Sequence, residues 1–310
     1  MIRLVKKALF LAVTTTAVFA AYAWAFIGGE DDRFYRRFTS PPAPSLVVGS
    51  SRCAQGITPT VINESELQFA RPLYNYCFTA PHSPYGPYYL ESIKKKLRMH
   101  SDGLFIVEVN PWSLSVRKPG MTKNEFPEAS RFIARMRIVN YMNPNLEYII
   151  NHYNKSHIET IWDEISGQEG SMFLEETGRL RVDVSMDQDK IQEREKRTIE
   201  RYRKRNANQW NLSSERAGYL GETISFLRQH GQVFVIRVPV SEEVLRVEQA
   251  YAPAFNSMID SVATEHDGVY LDYSDESGEY QTTDGSHLWK EDARRFTSRM
   301  LRSLERHTSE

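Results

Sequence analysis

The chain has 310 residues, 41% hydrophobic and 25% charged, enough to bury the core of one large domain or two small ones. Its formal net charge is −1, so no overall field draws it to nucleic acid. Its only cysteines, Cys53 and Cys77, exclude a disulfide-dense scaffold and a four-thiolate zinc site.

Ala8 to Ile27 carries no charge, a run of about 20 residues that matches the bilayer core. Arg3, Lys6 and Lys7 precede it, and Glu30, Asp31 and Asp32 follow it. That order keeps the N-terminus in the cytoplasm and exports the rest. The run ends in Ala23-Trp24-Ala25, whose small residues also fit a signal-peptidase site. Residues 1–28 are therefore expected to be an inner-membrane anchor or a cleaved signal. The body then lies in the periplasm or extracellular space, tethered or secreted. A buried core helix is the remaining reading. Residues 29–44 read as a polar, proline-bearing tether.

From residue 45 short apolar runs alternate with amphipathic ones. Strands are expected at Ser45 to Val48, Pro72 to Tyr76, Leu104 to Val109, Val233 to Val238 and Gly268 to Leu271. A helix or turn opens near Pro59. Helices are expected at Pro84 to Met99, Ser213 to His230, Ser241 to Thr264 and Leu288 to Leu304. Lys94, Lys95 and Lys96 are expected to turn mostly to water. This alternation predicts an α/β fold, a doubly wound five-stranded parallel sheet. In such sheets the site lies beyond the carboxyl ends of the strands. The residues there are Gly49, Ser50 and Ser51, then Asn75, Asn110, and the Asp284/His287 loop.

Residues 111–212 interrupt the rhythm after the third strand and read as a mainly helical insertion, a cap or a partner-docking surface. Helices are expected at Glu128 to Asn140 and Glu147 to Ile165. Lys190 to Arg205 holds eight Lys/Arg against three Glu. It reads as a solvated helix with internal ion pairs, or as a face for anionic lipid heads or an acidic glycan.

A serine hydroxyl becomes nucleophilic when a base is in hydrogen-bond reach and a third group orients that base. Ser51, His287 and Asp284 are the candidates for these three roles. The backbone N–H of Ser51 and the side-chain amides of Asn75 and Asn110 are candidate oxyanion donors. Arg52 is a candidate for binding a substrate carboxylate or phosphate, or else an ion-pair partner. Cys53 and Cys77 follow two neighbouring strands and are expected either to pair as a disulfide in an oxidising compartment or to be two small buried residues. His152 and His157 are off the spacing for a shared metal, and Asp272 and Asp275 lack a third ligand. No metal or cofactor is implied.

Gly49-Ser50-Ser51, an asparagine after the third strand, and Asp284-Gly285-Ser286-His287 before the last helix resemble the SGNH/GDSL hydrolase superfamily. The layout from residue 45 to 305 is similar to envelope-anchored members of the DltD-like and alginate-acetylation types. The resemblance implies Ser51 as nucleophile, His287 as base and Asp284 as its orienter. Asn75 and Asn110 lie near its second and third motif blocks. Ser50 stands where the family carries Asp, the second block lacks its glycine, and Asn110 lies in Val109-Asn110-Pro111 instead of Gly-x-Asn-Asp. The expected activity is a serine esterase or O-acyltransferase acting on acyl esters of an envelope polysaccharide or lipid. Two other readings remain. One is a non-catalytic envelope assembly protein that binds a membrane partner such as a membrane acyltransferase. The other is a membrane-surface phospholipase or lysophospholipase.

Overall fold

A computed structural model describes residues 1–26, 32, 34–117, 120, 121, 123–152, 172–207 and 210–308. Five strands form one all-parallel sheet: β1 (Ser45–Val48), β2 (Leu73–Asn75), β3 (Gly103–Glu108), β4 (Gly231–Arg237) and β5 (Val269–Asp272). Their order is β2-β1-β3-β4-β5. The register sets Val47 beside Ile106 and Val48 beside Val107. Helices cover both faces, so the central strands read as unbroken apolar runs.

The pleat divides the core. Val47, Ile106, Phe234 and Ile236 face α2 (Ser51–Gly56), α3 (Pro59–Asn63) and α9 (Lys290–Thr308). Leu46, Val48, Phe105, Val107 and Val235 face α4 (Pro87–Lys96), α6 (Ser214–Arg228) and α8 (Phe255–Glu265). The apolar helix α1 (Ile2–Phe26) precedes the sheet, and its Ile2–Tyr22 span has the length and hydropathy of a membrane anchor or signal sequence. A further helix, α5 (Gln188–Ala207), packs against α7 (Glu242–Tyr251).

Several expectations are corrected. The single helix over Ser241 to Thr264 is two, α7 and α8, broken at Ala252-Pro253-Ala254. Proline lacks the N–H that a continuing helix needs, and it restricts the residue before it. The helix expected at Glu128 to Asn140 shrinks to a 3-10 turn at Pro127–Ser130 and one α turn at Phe132–Arg135. The N–H groups of Arg137 and Ile138 donate instead to the Glu147 carboxylate, at 3.1 and 2.9 Å. The helix at Glu147 to Ile165 is seen at Leu146–His152, and residues 153–165 lie outside the described residues.

Lys96 is buried, not turned to water. Its Nζ donates to the carbonyls of Arg37, Ser40 and Val139 at 3.0, 2.8 and 3.2 Å. Burial pushes this amine down to about 7, and Arg37 acts in the same direction. The segment read as a tether is also packed. Phe34, Tyr35 and Phe38 are buried in the core, where Phe38 contacts Tyr76, Phe78 and Phe132. Burying large aromatic surface outweighs the polar residues between these rings.

Cys53 of α2 and Cys77 just after β2 are joined in a disulfide, with Cα atoms 6.1 Å apart and a sequence separation of 24. It ties the helix that carries Ser51 to the sheet edge. A loop of that length predicts a loss of about 3.5 kcal/mol in unfolding free energy for Cys53→Ser/Cys77→Ser by the chain-entropy account. Urea titration of both forms checks this, and equal stability would mean that the bond does not constrain the unfolded chain.

Candidate active site

β1 stops at Gly49, whose φ is +143°, a region that favours glycine. A Cβ there would lie 2.7 Å from Glu108 Oε2 and 2.9 Å from Cys53 Sγ. The chain therefore turns sharply and closely over the end of β3. Glu108, the last residue of β3, is fully buried. Its Oε2 accepts the N–H of Ser50 at 2.7 Å, and its Oε1 accepts an N–H of the Asn110 amide at 2.7 Å. Ser50 then caps α2, its Oγ accepting the N–H of Arg52 at 3.2 Å. Ser51 follows as the first helical residue, and its own N–H has no partner among the described residues.

The other half of the site comes from the far end of the chain. His287 Nε2 lies 2.8 Å from Ser51 Oγ. His287 Nδ1 lies 3.0 Å from both carboxylate oxygens of Asp284. A carboxylate at Nδ1 assigns the proton to that nitrogen and leaves Nε2 to accept from the serine. Asp284 Oδ1 also accepts the N–H groups of Ser286 and His287, each at 3.0 Å. Burial opposes ionisation of Asp284, but His287 and these N–H donors hold its carboxyl well below the usual range. Gly285, at φ +80°, makes the turn between the two residues. A Cβ there would lie 3.0 Å from Ser241 Oγ.

Asn110 reaches the cleft that holds Ser51, but both its amide hydrogens are engaged, one by Glu108 and one by Ser50 Oγ at 3.0 Å. Its Oδ1 accepts the N–H groups of Trp112 and Ser113 at 3.0 and 3.1 Å. Asn75 is not brought to the site. Its Nδ2 donates to the Cys53 carbonyl at 2.8 Å, and its Oδ1 accepts the Cys77 N–H at 3.1 Å. The amide closes the backbone around the disulfide and is unavailable as an oxyanion donor.

Arg52 is likewise a structural partner, not a free substrate ligand. It is buried against Glu248, which also pairs with Arg237 at 3.2 Å and accepts from Trp112 Nε1 at 2.9 Å. Its Nε donates to Ser286 Oγ at 3.2 Å, linking the nucleophile helix to the histidine loop. Burial opposes the charge of Arg52, yet Glu248 outweighs it and raises the guanidinium further. Burial alone would raise Glu248, but Arg52 and Arg237 bring it below its ordinary range.

Several residues beyond those named from the sequence build the site. Glu108 was visible as the one charge in an apolar strand, and such a charge needs partners when buried. Thr79, Ala80 and Pro81, on the loop after β2, line the cleft, and the N–H groups of Thr79 and Ala80 have no partner among the described residues. Arg201, Tyr202 and Arg205 of α5 wall the same cleft, whose volume is about 180 Å³. Tyr202 Oη lies 2.8 Å from Ser286 Oγ, and Arg194 Nε donates to the Thr283 carbonyl at 2.6 Å. The basic helix therefore docks on the histidine loop. It also carries an internal ion pair between Arg197 and Glu193, and Lys190 pairs with Asp187 just before the helix. A larger cavity of about 720 Å³ lies at the opposite end of the strands, beside Gly103 and Gly231, away from the serine.

Compared with known proteins, the chain matches no family model, no curated protein and no solved structure.

The depressed Asp284 carboxyl binds fewer protons in the folded than in the unfolded state once pH nears the ordinary carboxylate range of about 4. Its contribution to stability is thus present above that range and lost as pH falls through and below it. The difference in unfolding free energy between wild type and Asp284→Asn is expected to shrink as pH drops from about 5 to 3. Denaturant titrations across that window test it. A difference that stayed flat would mean that Asp284 is not held ionised by its partners.

Proposed function

We propose that the protein is an extracytoplasmic serine acyl-transfer enzyme of the SGNH type, an esterase or O-acyltransferase acting on acyl esters of an envelope polysaccharide or lipid. One observation carries the reading. Ser51 Oγ, His287 and Asp284 form an unbroken relay of 2.8 and 3.0 Å, drawn from opposite ends of the chain, and the N–H of the serine itself has no partner among the described residues. A capping loop or a simple turn accounts for either half alone. Neither accounts for the two halves meeting.

In the proposed reaction His287 Nε2 takes the proton as Ser51 Oγ bonds to the ester carbonyl carbon. The tetrahedral oxyanion is met by the Ser51 N–H, with the N–H groups of Thr79 and Ala80, which line the cleft, as further donors. The carbonyl–alkoxide bond then breaks, and His287 returns the proton to the departing alcohol. Water, or a hydroxyl of an acceptor, repeats the sequence in reverse and frees Ser51. Asp284 holds the imidazole and the positive charge it gains.

The anchor-length helix α1 and the Cys53–Cys77 disulfide support a place outside the cytoplasm. Trp112, Arg201, Tyr202 and Arg205 all belong to residues 111–212, which supports reading that insertion as a cap over the site. The non-catalytic reading rests on one feature, the engagement of both Asn110 amide hydrogens away from a substrate.

A fluorophosphonate probe separates these readings on residues 29–310. Wild type is expected to be labelled, with the labelling rate reduced roughly a thousand-fold or more in Ser51→Ala and in His287→Ala. A folded wild type that takes no label would favour the assembly-protein reading. Label that persists in Ser51→Ala would move the nucleophile elsewhere.

A further inference from the structure

We infer that the surface built by residues 135–150 docks on the bilayer that α1 enters, with Tyr141, Met142 and Ile150 in the interfacial layer and Lys95, Arg135 and Arg137 toward anionic headgroups. The inference rests on α1 as an anchor and not on the chemistry of Ser51.

The fold brings this surface to the foot of α1. The apolar span of that helix runs to Tyr22, and Phe19 and Tyr22 pack against the core cluster that holds Phe34, Phe132, Tyr148 and Ile149. Six residues lead from Phe26 to Asp32, a reach of at most about 22 Å. Asp32 is buried, and its Oδ1 accepts from Tyr148 Oη at 2.9 Å. Tyr35 Oη donates to Asn143 Oδ1 and accepts the Asn145 N–H, both at 3.1 Å. Asn145 Nδ2 donates to the carbonyls of Phe38 and Ile138, each at 3.0 Å. The segment that follows α1 is therefore bonded residue by residue to the chain between Ile138 and Tyr148.

That chain exposes what a water-facing surface has no use for. Outside α1, five large apolar side chains are exposed among the described residues, and three of them are Tyr141, Met142 and Ile150, at 72, 40 and 68%. Tyr141 takes φ +60°, a backbone region costly for a bulky residue. Hydrogen bonds from the Met142 N–H to the Asn140 carbonyl and from Asn140 Nδ2 to the Lys95 carbonyl hold the turn in this form. Tyrosine, with an apolar ring and a polar tip, suits the boundary between lipid and water. Lys95, Arg135 and Arg137 are exposed in the same region, and none pairs with a carboxylate among the described residues. Lys95 Nζ reaches the Met136 carbonyl at 3.1 Å. The carboxylate of Glu147 is taken up by the N–H groups of Arg137 and Ile138. Cations mixed with apolar side chains match an anionic bilayer surface, whereas the centre of a protein interface is poor in charge. Phe34 also packs on Phe78 and His82, at 5.6 and 5.2 Å, in the loop whose Thr79, Ala80 and Pro81 line the Ser51 cleft. Docking thus sets the orientation of that cleft to the membrane.

The test places the full chain in phosphatidylcholine vesicles containing about a quarter phosphatidylglycerol. Nitroxide labels go on Tyr141→Cys, Met142→Cys and Ile150→Cys, and on Arg302→Cys of α9, across the sheet, as the control. The first three are expected to be more accessible to oxygen than to a water-soluble nickel chelate, and the control the reverse. Adding Arg135→Gln/Arg137→Gln is expected to lower the ratio of docked to undocked label roughly ten-fold or more, as is omitting phosphatidylglycerol. Labels at 141, 142 and 150 as open to nickel as the control would overturn the inference. So would labels shielded from both reagents, because a second copy or another protein would then cover the face. A chain that does not float with the vesicles refutes α1 as an anchor. A floating chain with water-exposed labels refutes the docking alone.

Discussion

The site depends on one buried carboxylate. Glu108 closes β3 and accepts the N–H of Ser50 on one oxygen and the amide of Asn110 on the other. Holding Ser50 there forces the chain over Gly49, where no side chain fits, and starts α2 one residue later. Ser51 consequently sits at the end of the sheet with its hydroxyl toward His287 and its N–H unengaged among the described residues. A buried acid without such donors would cost several kcal/mol or take up a proton. The same contacts that satisfy Glu108 thus shape the turn that presents the serine.

A second buried network keeps the distant halves of the chain in place. Glu248 of α7 pairs with Arg52 beside the serine and with Arg237 at the end of β4. Arg52 passes the connection to Ser286 in the histidine loop, and Tyr202 of α5 joins there. Removing one member of a buried ion network leaves an uncompensated charge, so its members are mutually dependent. The network serves geometry more than net stability, because it fixes the serine helix, the histidine loop and the basic helix relative to one another.

Aromatic and cationic side chains together border the serine. On one side lies an aromatic wall held rigid by stacking and by the Trp112 hydrogen bond to Glu248. Arg201 and Arg205 border the same cleft, and neither forms an ion pair with a carboxylate among the described residues. Both come from the long segment between β3 and α6, which otherwise contributes little to the central sheet. The strand ends bring Ser51, His287 and Asp284 together, and that segment supplies part of the cleft wall beside them.

Sequence alone determined the strands, most of the helices around them, and the three residues of the relay. Parallel strands buried on both faces leave continuous apolar runs, and caps and glycines mark their ends. A sheet of this kind collects those ends on one edge, so Ser51, Asp284 and His287 could be named from their positions. Tertiary structure alone decided which polar residues near that edge are free. Asn75 and Arg52 occupy equally promising positions in the chain, yet one closes the backbone around Cys53 and Cys77 and the other pairs with Glu248, some 200 residues away. Lys96 is buried by contacts with Arg37, Ser40 and Val139, which helical periodicity cannot anticipate. Local pattern records which way an element faces, whereas the partner of a charge is set by chain segments that meet only on folding.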